Sequence, residues 1–251
     1  MQALRSHLER HGCSGRAVSP APFGVLFYEL TPALRDALLK LQGQSFMGKE
    51  CRFTREGFAS LEEVDTVVLE EEVIPLGRSG KESNAYRTLG DRFPDLERGV
   101  LEAVHDAKGW YTPAGDALMV PDLLTEEHRA TPWRHVIISF SRDPTKESEE
   151  LGLSPYFSLL GAFRQARSFQ EQAEELGYSP IQTLATTCAV PDPRKLSQEK
   201  TRKLAGQVAL AWMHALGGRD PPAAPVPPRD KVDYMIARDE DLHLLSLLSL
   251  S

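Results

Sequence analysis

Several short groupings in this sequence carry residue types that could do chemistry. His7 and His11 stand four residues apart with Cys13 close behind. On a helix that spacing puts both imidazoles on one face, as a metal pair requires, so these three are the candidate metal ligands. No HExxH pattern or CxxC pair accompanies them, and histidines on a terminal helix are usually just surface residues. Cys188 could act as a nucleophile if His135 or His214 came within hydrogen-bond reach; otherwise it is a small buried hydrophobe. Ser139 lies inside an apolar run with no GxSxG elbow to strain and expose it.

The Gly80-Lys81 pair invites a phosphate-loop reading. The pattern GxxxxGK[ST] fails on both sides of it: Pro75 stands where a glycine is needed and Glu82 where the metal-binding hydroxyl belongs. Turn chemistry is the simpler account. Glu70, Glu71 and Glu72 form a run of carboxylates, but strand neighbours point to opposite faces, so only Glu70 and Glu72 could share one. A solvated edge or a bulge is expected there. The best-placed candidates are Ser141, Arg142 and Asp143. They follow an apolar strand, and in open α/β sheets ligands bind outside the carboxyl ends of the strands. A hydroxyl, a guanidinium and a carboxylate at that point could orient a polar or anionic ligand.

The elements that must hold these residues follow from the patterning. Val136–Phe140 is a β-branched and aromatic run bounded by Pro132 and Pro144, which predicts a strand buried on both faces. Phe23–Leu30, Cys51–Thr54, Val64–Leu76, Ala117–Val120 and Ile181–Val190 read as further strands, with Trp110-Tyr111 and Ala117–Val120 forming a hairpin. Thr31-Pro32 is a cap followed by first-turn proline, and Leu34, Leu38 and Leu41 continue one helical face to Gly43. Ser154-Pro155 opens a second helix. Its stripe runs through Tyr156, Leu159, Leu160, Phe163, Ala166, Ala173 and Leu176 to Gly177. A third spans Pro193–Leu216, with Leu204, Val208, Trp212 and Leu216 in register. The expected fold class is α+β (mixed α/β): a central mixed sheet including Val136–Phe140, flanked by helices, with a helix-rich C-terminal half.

Three parts are expected. Residues 1–218 make one globular domain, 219–230 a proline-rich linker favouring polyproline II, and 231–251 a C-terminal peptide. In that peptide three acids at 239–241 suit a helix start, and Leu242, Leu244, Leu245, Leu247, Leu248 and Leu250 wrap most of the circumference. A free helix so short and apolar is marginal in water, so it should dock on its own domain or on a protein partner.

The totals bound the function classes. A net charge of −7 opposes a nucleic-acid surface, which needs clustered Lys and Arg. The basic residues of 194–203 read as a solvated helix face. Three widely spaced cysteines suit reduced thiols. No apolar run approaches the roughly 20 residues that span a bilayer, and Met1–Arg10 lacks the apolar core of a secretory signal. A cytoplasmic location is expected. Two readings follow. One is a non-enzymatic binding or regulatory protein whose leucine-rich tail is an intramolecular latch or partner-binding element. The alternative is a small enzyme acting on a polar or anionic metabolite at the end of the central strand. No cofactor is implied by either.

Overall fold

The computed structural model describes residues 22–44, 46–57, 61, 63–72, 115–121, 133–142, 154–188, 194 and 196–216. Among them run β1 (Gly24–Phe27), α1 (Pro32–Gly43), β2 (Cys51–Phe53), β3 (Thr66–Glu72), β4 (Ala117–Val120), β5 (His135–Arg142), α2 (Ser154–Gln172), β6 (Thr183–Thr186) and α3 (Gln198–Ala215). The strands form a six-stranded sheet in the order β2-β1-β6-β3-β5-β4. Every pairing is parallel except that of β4 with β5. This is the mixed sheet with flanking helices that the patterning predicts.

Local chemistry accounts for the elements. Thr31 caps α1 through its side chain, which accepts from the Leu34 amide at 3.3 Å, and Pro32 takes the first helical position, where no amide partner is required. Leu34, Leu38 and Leu41 are buried, as their spacing requires. The third helix starts later than its pattern suggests. Ser197 accepts from the Lys200 amide at 3.3 Å and fixes the start at Gln198.

At the end of α2 the chain closes in a Schellman turn. Gly177 adopts φ 79°, its amide donates to the Glu174 carbonyl, and the Tyr178 amide donates to Ala173 at 2.8 Å. That φ is where glycine costs least. Leu176, expected in the buried stripe, is 58% exposed. Tyr178, past the turn, instead makes the contact with Phe169, at 5.8 Å between ring centroids.

The sheet is apolar on both faces. Val25, Phe27, Val68, Ile137 and Leu184 join the core built with α1, α2 and α3. Tyr28, Val67, Leu69, Val136, Ile138, Phe140 and Ala185 form a second core on the other face with Leu61, Val64 and Trp133. Alternate residues of one strand thus serve opposite cores, as the strand period of two demands. Gly161 lets α2 approach β4 closely: a Cβ there would overlap the Gly115 carbonyl oxygen.

Two expectations about the strands change. Val136–Ile138 and Phe140 are buried on both faces, but β5 is fifth of six, and the middle of the sheet is β6 and β3. The acidic run of β3 pairs with β5 on one side, whereas the pairing of β3 with β6 is made by Thr66 and Val67. The bulge alternative holds, with a register shift between Glu71 and Glu72. The partner segment Trp110-Tyr111 of the expected hairpin lies outside the described residues, while Ala117–Val120 pairs antiparallel with β5.

Candidate functional site

The order of the strands locates a crevice. From β1 the chain passes through α1 to β2 on one side, whereas β4 and β5, which follow β3, lie on the other side. Between them sits β6. Neighbouring parallel strands whose connections diverge leave a gap above their carboxyl ends, and this is where ligands enter open α/β sheets.

Register decides which residues ring the gap. Phe27 pairs with Thr186, and Val67 pairs with Ala185. Continuing those offsets puts Tyr28, Thr187 and Leu69 at one level, and Glu29, Cys188 and Glu70 at the next. The Thr187 hydroxyl donates to Glu70 Oε1 at 2.5 Å, tying the end of β6 to the end of β3. The Tyr28 amide donates to the Thr186 carbonyl at 3.1 Å, tying β1 to β6.

Glu29 leaves β1 with φ 55°. A non-glycine residue in the left-handed region costs free energy and persists only where its surroundings hold it. Here the Glu29 amide donates to the Glu56 carbonyl at 2.9 Å and the Leu30 amide to the Thr54 carbonyl at 3.2 Å. The turn leaves the Glu29 side chain exposed between buried Tyr28 and buried Leu30.

The electrostatics of this end are one-signed. Burial, and behind it the Glu29 and Glu70 carboxylates, push the Tyr28 hydroxyl far above the ordinary tyrosine range. Burial and then Glu70 push the Cys188 thiol up as well. Cys51 shifts the same way, through burial first and Cys188 second. Thiols held neutral in this manner are poor nucleophiles, the reverse of the electropositive setting that activates one. His135, weighed as a base for Cys188, begins β5 and so stands at the amino ends of the strands. There its ring lies 2.9 Å from the Ser179 carbonyl. Nδ1 of His214 lies 2.8 Å from the Tyr156 hydroxyl.

The candidates read from the sequence separate accordingly. Cys188 sits at the crevice. Ser141 and Arg142 are the last two residues of β5, which is next but one to β6 in the sheet. Asp143, His7, His11, Cys13 and the leucines of 242–250 lie outside the described residues. Among the described residues no group of three His, Cys, Asp or Glu is arranged to hold a metal ion, and no helix is long and apolar enough to cross a membrane. Ser139 is buried in the core, donating to the Ser158 carbonyl at 2.9 Å. Tyr28, Glu29 and Thr187 were not singled out by the sequence, and Glu70 only as part of an acidic run.

Comparison with known proteins leaves the chain without a family. No family model matches it, and no curated protein sequence does. Among the solved structures that align with it are two macrodomains. The macrodomain of Mycobacterium tuberculosis DarG matches at 12% identity with a TM-score of 0.41, covering 64% of this chain and 90% of that one. An Oceanobacillus iheyensis macrodomain mutant matches at 13% identity with a TM-score of 0.40, covering 62% and 74%.

Proposed function

We propose that this domain binds a small polar metabolite in the crevice at the carboxyl ends of β1, β6 and β3. The observation that carries this reading is the coincidence of the divergence point in the sheet with the Glu29, Thr187 and Glu70 cluster. A strained glutamate and a tethered one, set over the gap, are what a preorganised acceptor site needs. Carboxylates accept hydrogen bonds, so the part of the ligand they meet carries hydroxyl or amine donors. An anionic part of the same molecule would fall to Ser141 and Arg142, the last two residues of β5. If a reaction occurs here, proton transfer through Glu70 or Glu29 is favoured over attack by Cys188, whose thiol stays protonated.

The test is a thermal-shift and calorimetric screen of hydroxylated and phosphorylated metabolites against the whole chain. A binder should raise the melting temperature in a concentration-dependent way. Glu70→Gln should then weaken its binding by about tenfold or more, the scale of one charge-assisted hydrogen bond. Arg142→Ala should weaken the anionic members of the series alone. A ligand bound equally well by wild type and Glu70→Gln would remove the site from this crevice.

A further inference from the structure

The strand β2 ends the sheet with most of its outer backbone already occupied. Among the described residues it is the last strand of the order, with β1 on its inner side. The inner bonds fix which groups point outward. The Val25 amide donates to the Glu50 carbonyl at 3.0 Å, and the Thr54 amide donates to the Phe27 carbonyl at 2.9 Å, so Glu50 and Thr54 face β1. Backbone groups change sides with each residue of a strand, so Cys51 and Phe53 face away from the sheet. Their amides and carbonyls are the row that another strand would pair with.

Only the Phe53 amide in that row lacks an assigned role within the chain. The Cys51 carbonyl accepts from Gln42 Nε2 at 2.6 Å, and the Phe53 carbonyl accepts from Arg35 Nε at 3.4 Å. The Cys51 amide donates to the Gly48 carbonyl at 3.2 Å, which also accepts from Gln42 Nε2 at 3.0 Å. Arg35 and Gln42 stand about two turns apart on α1 and reach β2 in reverse order, as a helix returning between two parallel strands must. Carbonyls at an edge can bond to water, so holding two long side chains over them costs rotamer entropy for a small gain in hydrogen bonding. What the side chains change is access, because an incoming strand meets a donor already in its path.

We infer that Gln42 and Arg35 close the edge of β2 and keep a second copy of this chain from pairing there. Uncovered, the edge is self-complementary. Two copies related by a twofold axis at Arg52 would pair antiparallel, with Cys51 of one opposite Phe53 of the other and every outward group bonded. Arg52 would then face its own counterpart, and that repulsion is a further barrier to the same pairing. In the single chain Arg52 has Glu63 as its partner, at 3.6 Å.

Arg52→Cys, in the full chain with Cys13→Ser, tests the inference. Residues on such an axis form a non-hydrogen-bonded pair, whose close Cα atoms suit a disulfide, and the substitution also removes the repulsion. With Gln42 and Arg35 in place the protein should stay monomeric under mild oxidation. With Gln42→Met and Arg35→Ala added, it should form a covalent dimer through residue 52 severalfold faster, and the reduced protein should move toward twice the mass as concentration rises in sedimentation. Ser168→Cys, exposed on α2, reports random collision and should bridge at one rate in both backgrounds. Equal rates for Arg52→Cys with and without the two α1 side chains would overturn the inference, as would ready bridging while both are present. Should the double substitution fail to fold, Gln42→Met alone, which keeps the length of the side chain, must still speed bridging. A Gln42→Met protein that loses stability with no faster bridging would show that Gln42 only braces the turn at 46–50.

Discussion

The two ends of the parallel strands are built on opposite plans. At the amino ends the chain is stitched shut. Asp65 accepts from the Gln182 amide at 2.7 Å and from the Thr66 hydroxyl at 2.9 Å through its carboxylate. Its carbonyl accepts from the Arg134 amide at 2.6 Å and the His135 amide at 3.0 Å. One residue thereby joins the starts of β3, β6 and β5, and His135 and Arg134 extend the joint to Ser179. At the carboxyl ends Glu29 is exposed instead, and Glu70 accepts from the Thr187 hydroxyl. Carboxylates thus join backbone at one end and lie near the strand ends at the other.

The largest effect that would break this comparison is at the closed end. Asp65→Ala leaves the carbonyl bonds but deletes the carboxylate that receives Gln182 and Thr66. It should lower stability by about 2–3 kcal/mol, the scale of charge-assisted bonds left with unpaired partners. Urea denaturation measures the loss, and ligand affinity per folded molecule should be unchanged. A large fall in affinity with little loss of stability would reverse the assignment of the two ends.

Alkaline pH should act on the open end. In the unfolded chain the Cys188 thiol ionises near its ordinary value, about 8.5. In the folded chain burial and Glu70 keep it protonated to much higher pH. The folded state therefore retains a proton that the unfolded state releases, and stability falls as pH rises above the unfolded value. The stabilisation is complete below about pH 8 and diminishes by roughly 2 kcal/mol by pH 10 for this one thiol. Denaturation curves of wild type and Cys188→Ala at pH 7.5 and 10 should differ in their pH dependence by that amount. Parallel curves would mean that the thiol ionises freely in the folded protein and stands ready as a nucleophile after all.

Most of the architecture is legible from local chemistry, because each element carries its own signals. Thr31-Pro32 announces α1, the β-branched run at Val136 announces β5, and Gly177 marks the close of α2. What stays illegible depends on pairing over long separations. β6 inserts between β1 and β3, and only that insertion makes β5 peripheral and gathers Glu29, Thr187 and Glu70 at adjacent levels. Nothing within a few residues of Tyr28 or Thr187 signals it, since both read as ordinary strand ends. A rule about strand ends points to Ser141-Arg142. It was applied to the most apolar strand rather than to the strands that flank the divergence point. The left-handed turn at Glu29 had no glycine or asparagine to advertise it.

The smallest effect expected is also the most specific to the open end. Thr187→Val keeps the shape of the side chain and removes the hydroxyl that donates to Glu70. Because both groups are only half-buried, water can replace the lost partner, and stability should fall by no more than about 1 kcal/mol. Ligand affinity should nevertheless drop severalfold, since the carboxylate must now be ordered when the ligand arrives rather than beforehand. Thr187→Ser, which retains the hydroxyl, should recover most of it. If serine and valine bind equally well, the tether serves the sheet alone, and the difference between the two ends lies in Glu29 and its strained turn.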